Sequence, residues 1–416
     1  MRKQLRSLWP LFFGVFLIGL CVGAQGTLVG LRSALEGFEE RTIGLIMSAY
    51  YGGFLLGALR GQAIIRRVGH VRTFGALTAL ASVSILFHPL HIDPMLWMLT
   101  RVFLGFSMCG IFLVAESWLS QAADDSNRSR VLSIYMIVMH SGILGGQFIL
   151  KLGEPLSFEL FSVISVLLSV AAIPMLLMVT SVPVVEPVQR ISFKVLFRWA
   201  PLGFIGAFLM QMCSAMAFSM APVVASGLGY SPGQIAYLMA AVVFGALVFQ
   251  WPLAMLFDLV GRRPVVTILA AAGSLVSLVA ALVADSSFVA FLITMTVFGG
   301  FVLPLYSFYS AIVYDYMKPE KIVSANAAIL LVGGTGASFG PLVAAVLMNE
   351  YQANGFFLAT GTVLALASGA GVYRMLLYST TSRYQTHEFT LLAGNFGVGL
   401  DASGVVQAGQ RVEDKQ

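Results

Sequence analysis

Phe257-Asp258-Leu259-Val260-Gly261-Arg262-Arg263 is a short charged turn, with a glycine at its centre, between two long apolar runs. A related stretch, Arg66-Arg67-Val68-Gly69-His70-Val71-Arg72, lies 192 positions earlier and is also flanked by apolar runs. The same offset aligns Ile43 with Ile235, Met47 with Met239, Ala49 with Ala241, Gly53 with Gly245 and Val131 with Val323. In so apolar a chain each identity is trivial alone. Their common register marks a duplication.

The 416 residues are 58% hydrophobic and 10% charged, with a mean hydropathy of +0.88. A water-facing domain carries about 25% charged residues, so most of this chain faces lipid or its own interior. The formal charge of +5 raises nucleic acid as a partner. The basic residues, however, sit in short loops between apolar runs, which fits membrane topology and not a polyanion footprint. Cys21, Cys109 and Cys213 lie inside apolar runs without metal-ligand spacing and read as packing residues. The start, Met1-Arg2-Lys3-Gln4-Leu5-Arg6, imitates a secretory signal. No small-x-small site follows and the apolar run continues to Leu31, so it reads as an uncleaved first span.

A hydrocarbon core of ~30 Å takes about 20 apolar residues in a helix. Charged and Pro/Gly-rich breaks predict spans near 8–30, 42–64, 74–92, 95–119, 131–150 and 159–180, then 199–224, 235–257, 265–284, 288–313, 323–348 and 355–378. The expected fold is all-α: twelve transmembrane helices in two pseudo-symmetric bundles of six, at 1–180 and 199–378. A central loop occupies 181–198 and a polar tail 379–416. With the N-terminus inside, nineteen of the 24 lysines and arginines face inward. Arg32, Arg41 and Lys151 face outward, and Arg60 and Arg101 fall within spans. That bias predicts both termini in the cytoplasm and a plasma membrane, the bacterial inner membrane, as location. Trp9, Trp97, Trp118 and Trp199 fall near span ends, as an interfacial belt predicts.

Two motifs carry a family resemblance. Asp258-x-x-Gly261-Arg262-Arg263 between spans 8 and 9, with Leu259 where an arginine is usual, and Arg101-Val102-Phe103-Leu104-Gly105 in span 4 both resemble signatures of the major facilitator superfamily. The resemblance covers residues 8–378. Two departures stand beside it. Arg66 occupies the aspartate position of the first turn, and Gly142-Ile143-Leu144-Gly145-Gly146 is similar to the drug-antiporter signature of span 5 but lacks its proline. The resemblance implies bundles rocking about a central site lined by spans 1, 4, 7 and 10. It further implies a monomer without cofactor that moves a small solute, coupled to protons, with efflux favoured over uptake. A sensor or scaffold that kept this fold without transport is the alternative reading. Neither Gly-x-x-x-x-Gly-Lys nor His-Glu-x-x-His occurs, so enzyme chemistry has no motif behind it.

Arg101 lies about 9 Å inside the outer end of span 4. A charge so placed costs about 2.5–3.5 kcal/mol on insertion scales and usually faces a cavity or a partner. It reads as an anion binder or a modulator of a proton site, against an arginine snorkelling to headgroups, with Gln25 of span 1 at similar depth. His140 in span 5 is a candidate proton carrier or an imidazole bonded to Ser141 or a carbonyl. Glu116 is a proton acceptor or a gate partner of Arg60, Arg67 or Arg72. Gln211 on span 7 and Tyr306 and Tyr309 on span 10 read as an adaptable ligand surface or as ordinary packing. Glycines four apart, as in Gly19/Gly23, Gly53/Gly57/Gly61 and Gly336/Gly340, read as close helix packing. Gly69 and Gly261 are expected at positive φ. The turns are expected to latch the bundles on the cytoplasmic side, with Asp258 paired to Arg128 and Arg66 to Glu320. Such exposed pairs contribute about 0–1 kcal/mol each.

Overall fold

The computed structural model describes residues 9–122, 128–177, 192–318 and 321–377. Among them are twelve helices long and apolar enough to cross a membrane. Spans 1 to 6 are Trp9–Leu35, Glu40–Val68, His70–Leu90, Pro94–Leu119, Val131–Lys151 and Glu159–Leu176. Spans 7 to 12 are Pro201–Gly227, Pro232–Val260, Arg262–Val283, Phe288–Tyr314, Ser324–Tyr351 and Ala353–Leu377. Span 5 tightens to a 3-10 turn over Gln147–Lys151. Span 10 breaks between Phe288–Val302 and Leu305–Tyr314, where Pro304 has no N–H to continue the ladder. The segment expected to be only loop contains a short helix, Phe193–Trp199, anchored by its buried Leu196.

Carbonyl-to-glycine contacts set the packing inside each bundle. A Cβ on Gly53 of span 2 would overlap the Val102 carbonyl of span 4, and one on Gly105 would overlap the Tyr50 carbonyl. The second bundle repeats this, with Gly245 of span 8 on the Thr296 carbonyl and Gly299 of span 10 on that of Val242. Gly23 of span 1 lies on the Ile143 carbonyl and Gly146 of span 5 on that of Leu20. In the other half, Gly336 and Gly340 of span 11 meet the Phe208 and Met212 carbonyls of span 7. In lipid no hydrophobic drive separates helix from solvent, so backbone approach at small residues does that work. The glycine run of span 5 is thereby accounted for as packing.

Gly69 and Gly261 end spans 2 and 8 at φ +93° and +105°, backbone that L side chains avoid. The end of the molecule bearing these turns is called here the glycine-turn end. The bundles meet through spans 2 and 11, 1 and 7, and 5 and 8. Two polar contacts crossing between them lie in the opposite half. Arg41 pairs with Glu350 at 3.3 Å, and Lys151 donates to the Tyr237 hydroxyl at 2.9 Å while lying 4.5 Å over that ring. Along span 2, the row Gly44, Ser48, Tyr51, Leu55, Leu59, Arg66 runs from buried to exposed. The bundles are therefore sealed at the far end and part toward the glycine turns.

Two tryptophans differ from expectation. Trp97 and Trp118 are buried, with Trp97 donating to the His91 carbonyl at 2.9 Å and Trp118 stacked on His70. They are packing residues, whereas Trp9 and Trp199 are exposed as an interfacial position requires. Cys21, Cys109 and Cys213 are free and buried, as expected.

Candidate functional site

At the seam of the bundles, spans 1, 2, 4, 5 and 7 line a small cavity of about 20 Å³ with Arg101 in its wall, room for about one water. Arg101 is 1% exposed. One guanidinium nitrogen donates to the Gln25 side-chain carbonyl, and the other lies 3.8 Å from the Met47 sulfur. The guanidinium sits 4.6 Å over the Tyr50 ring, while its Nε is buried without a partner. No carboxylate among the described residues pairs with it. A ring face and an amide dipole offset part of the cost of a buried cation, but leave its charge and some of its five donors unanswered.

The walls follow from helix spacing. Met47, Tyr50 and Tyr51 occupy one arc of span 2, held against span 4 by the Gly53 and Gly105 contacts. Thr27, half a turn beyond Gln25 on span 1, lies 2.7 Å from Gln147 Oε1, and Gln147 is fully buried with an unpartnered Nε2. Across the seam, Ser219 of span 7 donates to the Tyr51 hydroxyl at 3.4 Å, beside Phe218. Arg101 and Gln25 were expected to be neighbours and are. Met47, Tyr50, Tyr51, Thr27, Gln147 and Ser219 were not expected at the site, although an amide such as Gln147 inside an apolar run was a visible signal.

Other expected residues lie elsewhere. His140 is half-buried and its Nδ1 bonds the Met136 carbonyl of its own helix at 2.8 Å, the structural alternative. Span 10 does not line the cavity. Tyr309 is buried against Gly206 of span 7 with its hydroxyl unpartnered, because that glycine leaves the notch its ring fills. Tyr306 and Gln211 meet near Gly333 of span 11, again outside the cavity. Glu116 does not reach Arg60, Arg67 or Arg72. It is 6% exposed, its nearest donor is the Tyr135 hydroxyl at 3.4 Å, and its Oε2 has no partner. Arg60 is instead exposed.

At the glycine-turn end, Arg262 forms an ion pair with Asp315, bonds the Ala311 carbonyl at 3.3 Å and lies over Phe257. Arg263 bonds the Tyr316 hydroxyl. Both therefore tie span 9 to the end of span 10 within one bundle. His70, the counterpart of Arg262 in the first turn, bonds Ser117 of span 4 at 3.0 Å. Asp258 and Arg66 are exposed. The Arg128 side chain and Glu320 lie outside the described residues, so neither expected latch pair is described.

The comparisons agree with this architecture. The family model described as Major Facilitator Superfamily matches residues 11–202 and again 203–392, two copies starting at the offset of the internal repeat. An uncharacterized MFS-type transporter of Enterobacter sp. (strain 638) is 27% identical, over 93% of this chain and 99% of the relative. The uncharacterized MFS-type transporter YcaD of Escherichia fergusonii is 26% identical, over 86% and 93% respectively. The fold is similar to that of the nucleoside transporter NupG, with a TM-score of 0.76 at 13% identity over 90% of this chain and 100% of that one. It is also similar to an inward-facing, occupied bacterial homolog of the human lysosomal transporter Spinster, with a TM-score of 0.70 at 14% identity over 90% and 97%. With one family model matching each half in turn, the chain belongs to the major facilitator superfamily.

Proposed function

We propose that the chain is a secondary active transporter that carries a small organic solute by alternating access, coupled to protons. The observation behind this is the buried, acid-free Arg101 in a cavity at the seam of two bundles that are sealed at one end and part toward the other. A site open alternately to either side of such a seam is how repeated-bundle transporters work. The glycine-turn end is taken as cytoplasmic on the lysine and arginine bias, which makes this conformation inward-open in a bacterial inner membrane. Efflux is taken as the direction, which the family resemblance favours over uptake.

For the proton, the supporting residue is Glu116. It is a carboxyl inside a span with one hydrogen-bond donor and, among the described residues, no ion-pair partner. Taking up a proton removes the cost of an uncompensated charge, and access to water lets that proton leave. The test is flux in proteoliposomes of the full chain, across a panel of organic solutes, with and without a pH gradient. Glu116→Gln should abolish accumulation driven by the gradient while leaving solute exchange at equal pH. Gradient-driven accumulation by Glu116→Gln would remove Glu116 from the coupling. Absence of flux for every solute under every gradient would favour the sensor reading.

A further inference from the structure

We infer that the short helix Phe193–Trp199 is a docking surface for anionic phospholipid, with Lys194, Arg198 and Lys321 holding the phosphate headgroups of the leaflet at the glycine-turn end. The inference goes beyond transport and does not rest on it. The helix does not run on into span 7. Ala200 leaves helical backbone at φ −133° and ψ 61°, and Pro201 opens the next helix. At about 100° per residue, Phe193, Val195, Leu196, Phe197 and Trp199 share one broad apolar face, and Lys194 and Arg198, four apart, share the other. Of the seven residues only Leu196 is buried, and the helix rests on spans 7 and 11.

Each face suits one layer of a bilayer interface. Phe193, Val195, Phe197 and Trp199 are exposed, with Phe197 edge-on to Phe204 of span 7 at 5.4 Å. A helix of this pattern lies in the interface, its apolar side chains at the acyl boundary and its basic ones among headgroups. Lys321, at the start of span 11, lies 5.5 Å over the Trp199 ring. Its N–H bonds the carbonyl of the exposed Lys318 at 2.9 Å, so two more cations join the patch. Among the described residues Lys194, Arg198, Lys318 and Lys321 have no ion-pair partner, and the helix itself carries no acid. Zwitterionic lipid would cover the apolar face and leave this charge unanswered, whereas an anionic headgroup answers both. A soluble acidic partner would answer the charge as well, but the exposed apolar side chains border the end of a transmembrane helix, where lipid is the neighbour at hand.

Brominated lipids, which quench tryptophan on contact, test this with the purified full chain in nanodiscs. The signal of Trp199 is the difference between the native chain and Trp199→Phe. At equal mole fraction, brominated phosphatidylglycerol should quench that signal about twofold or more beyond brominated phosphatidylcholine, and high salt should shrink the preference. Lys194→Gln combined with Arg198→Gln should make the two lipids equal. Arg72→Gln, an exposed basic residue of the other bundle at the same end, should keep the preference, and free inorganic phosphate should not displace the lipid. Quenching by neither lipid would overturn the inference and leave the helix in water, open to a soluble partner. Equal quenching by both, a preference that survives the double variant, a preference lost with Arg72→Gln, or displacement by inorganic phosphate would each overturn it too. Should the double variant not fold, the native chain in high salt decides, and a preference insensitive to salt overturns the inference.

Discussion

At Arg101 a full charge meets a ring face, an amide oxygen and a thioether, with no carboxylate among the described residues to neutralise it. Stability alone would favour an apolar residue of similar volume, because buried ions cost more than modest partners return. Arg101→Met should therefore leave the melting temperature of the purified protein unchanged or higher while abolishing transport. A fall in melting temperature together with intact transport would make the arginine structural. Gly261 makes the opposite case. At φ +105° with no close neighbour, its constraint is conformational, and Gly261→Ala should cost about 1–3 kcal/mol. Gly233→Ala, on a helix with open space around it, should stabilise by up to ~1 kcal/mol through helix propensity. Thermal melts of the two variants check both signs. The charged residue in an apolar run and the glycine in a charged turn were both legible in the sequence. The tyrosines around Arg101 were not, since nothing in an apolar run says which face of span 2 meets span 4.

Helix pairs show where local pattern stops. The spacing of Gly53, Gly57 and Gly61 reveals a close approach but does not name the partner helix, which is span 4. Adjacent glycines on span 2 separate packing from propensity. A Cβ on Gly52 meets open space, whereas one on Gly53 overlaps the Val102 carbonyl. Gly52→Ala should leave folded yield and melting temperature intact, and Gly53→Ala should lower both, by the 1–3 kcal/mol typical of overpacking. Equal tolerance of the two would mean the span 2–span 4 contact is looser than described. Span 10 shows the reverse limit. Its tyrosines were expected at the cavity on the strength of a resemblance, yet Tyr309 turns into the notch over Gly206 of span 7, a contact set by a glycine about 100 residues away in the chain.

For the whole molecule, duplication, span count and bundle division were legible because they rest on length, hydropathy and a fixed offset, which tolerate local error. The conformational state was not, because the contacts that set it lie between residues far apart in sequence. Lys151 on Tyr237 and Arg41 on Glu350 hold the far end together, and exposed pairs of this kind contribute about 0–1 kcal/mol. Lys151→Ala should thus shift the conformational balance by at most about fivefold and leave the fold intact. The central claim, that the seam opens alternately at its two ends, is tested most directly by distance. Spin labels at Glu39→Cys and Tyr351→Cys, both exposed at the far end, would report it in the lipid-reconstituted full chain. Two distance populations, one matching the sealed far end described here and one longer, with their ratio changing with pH or added solute, are the predicted result. A single short distance under every condition would contradict alternating access.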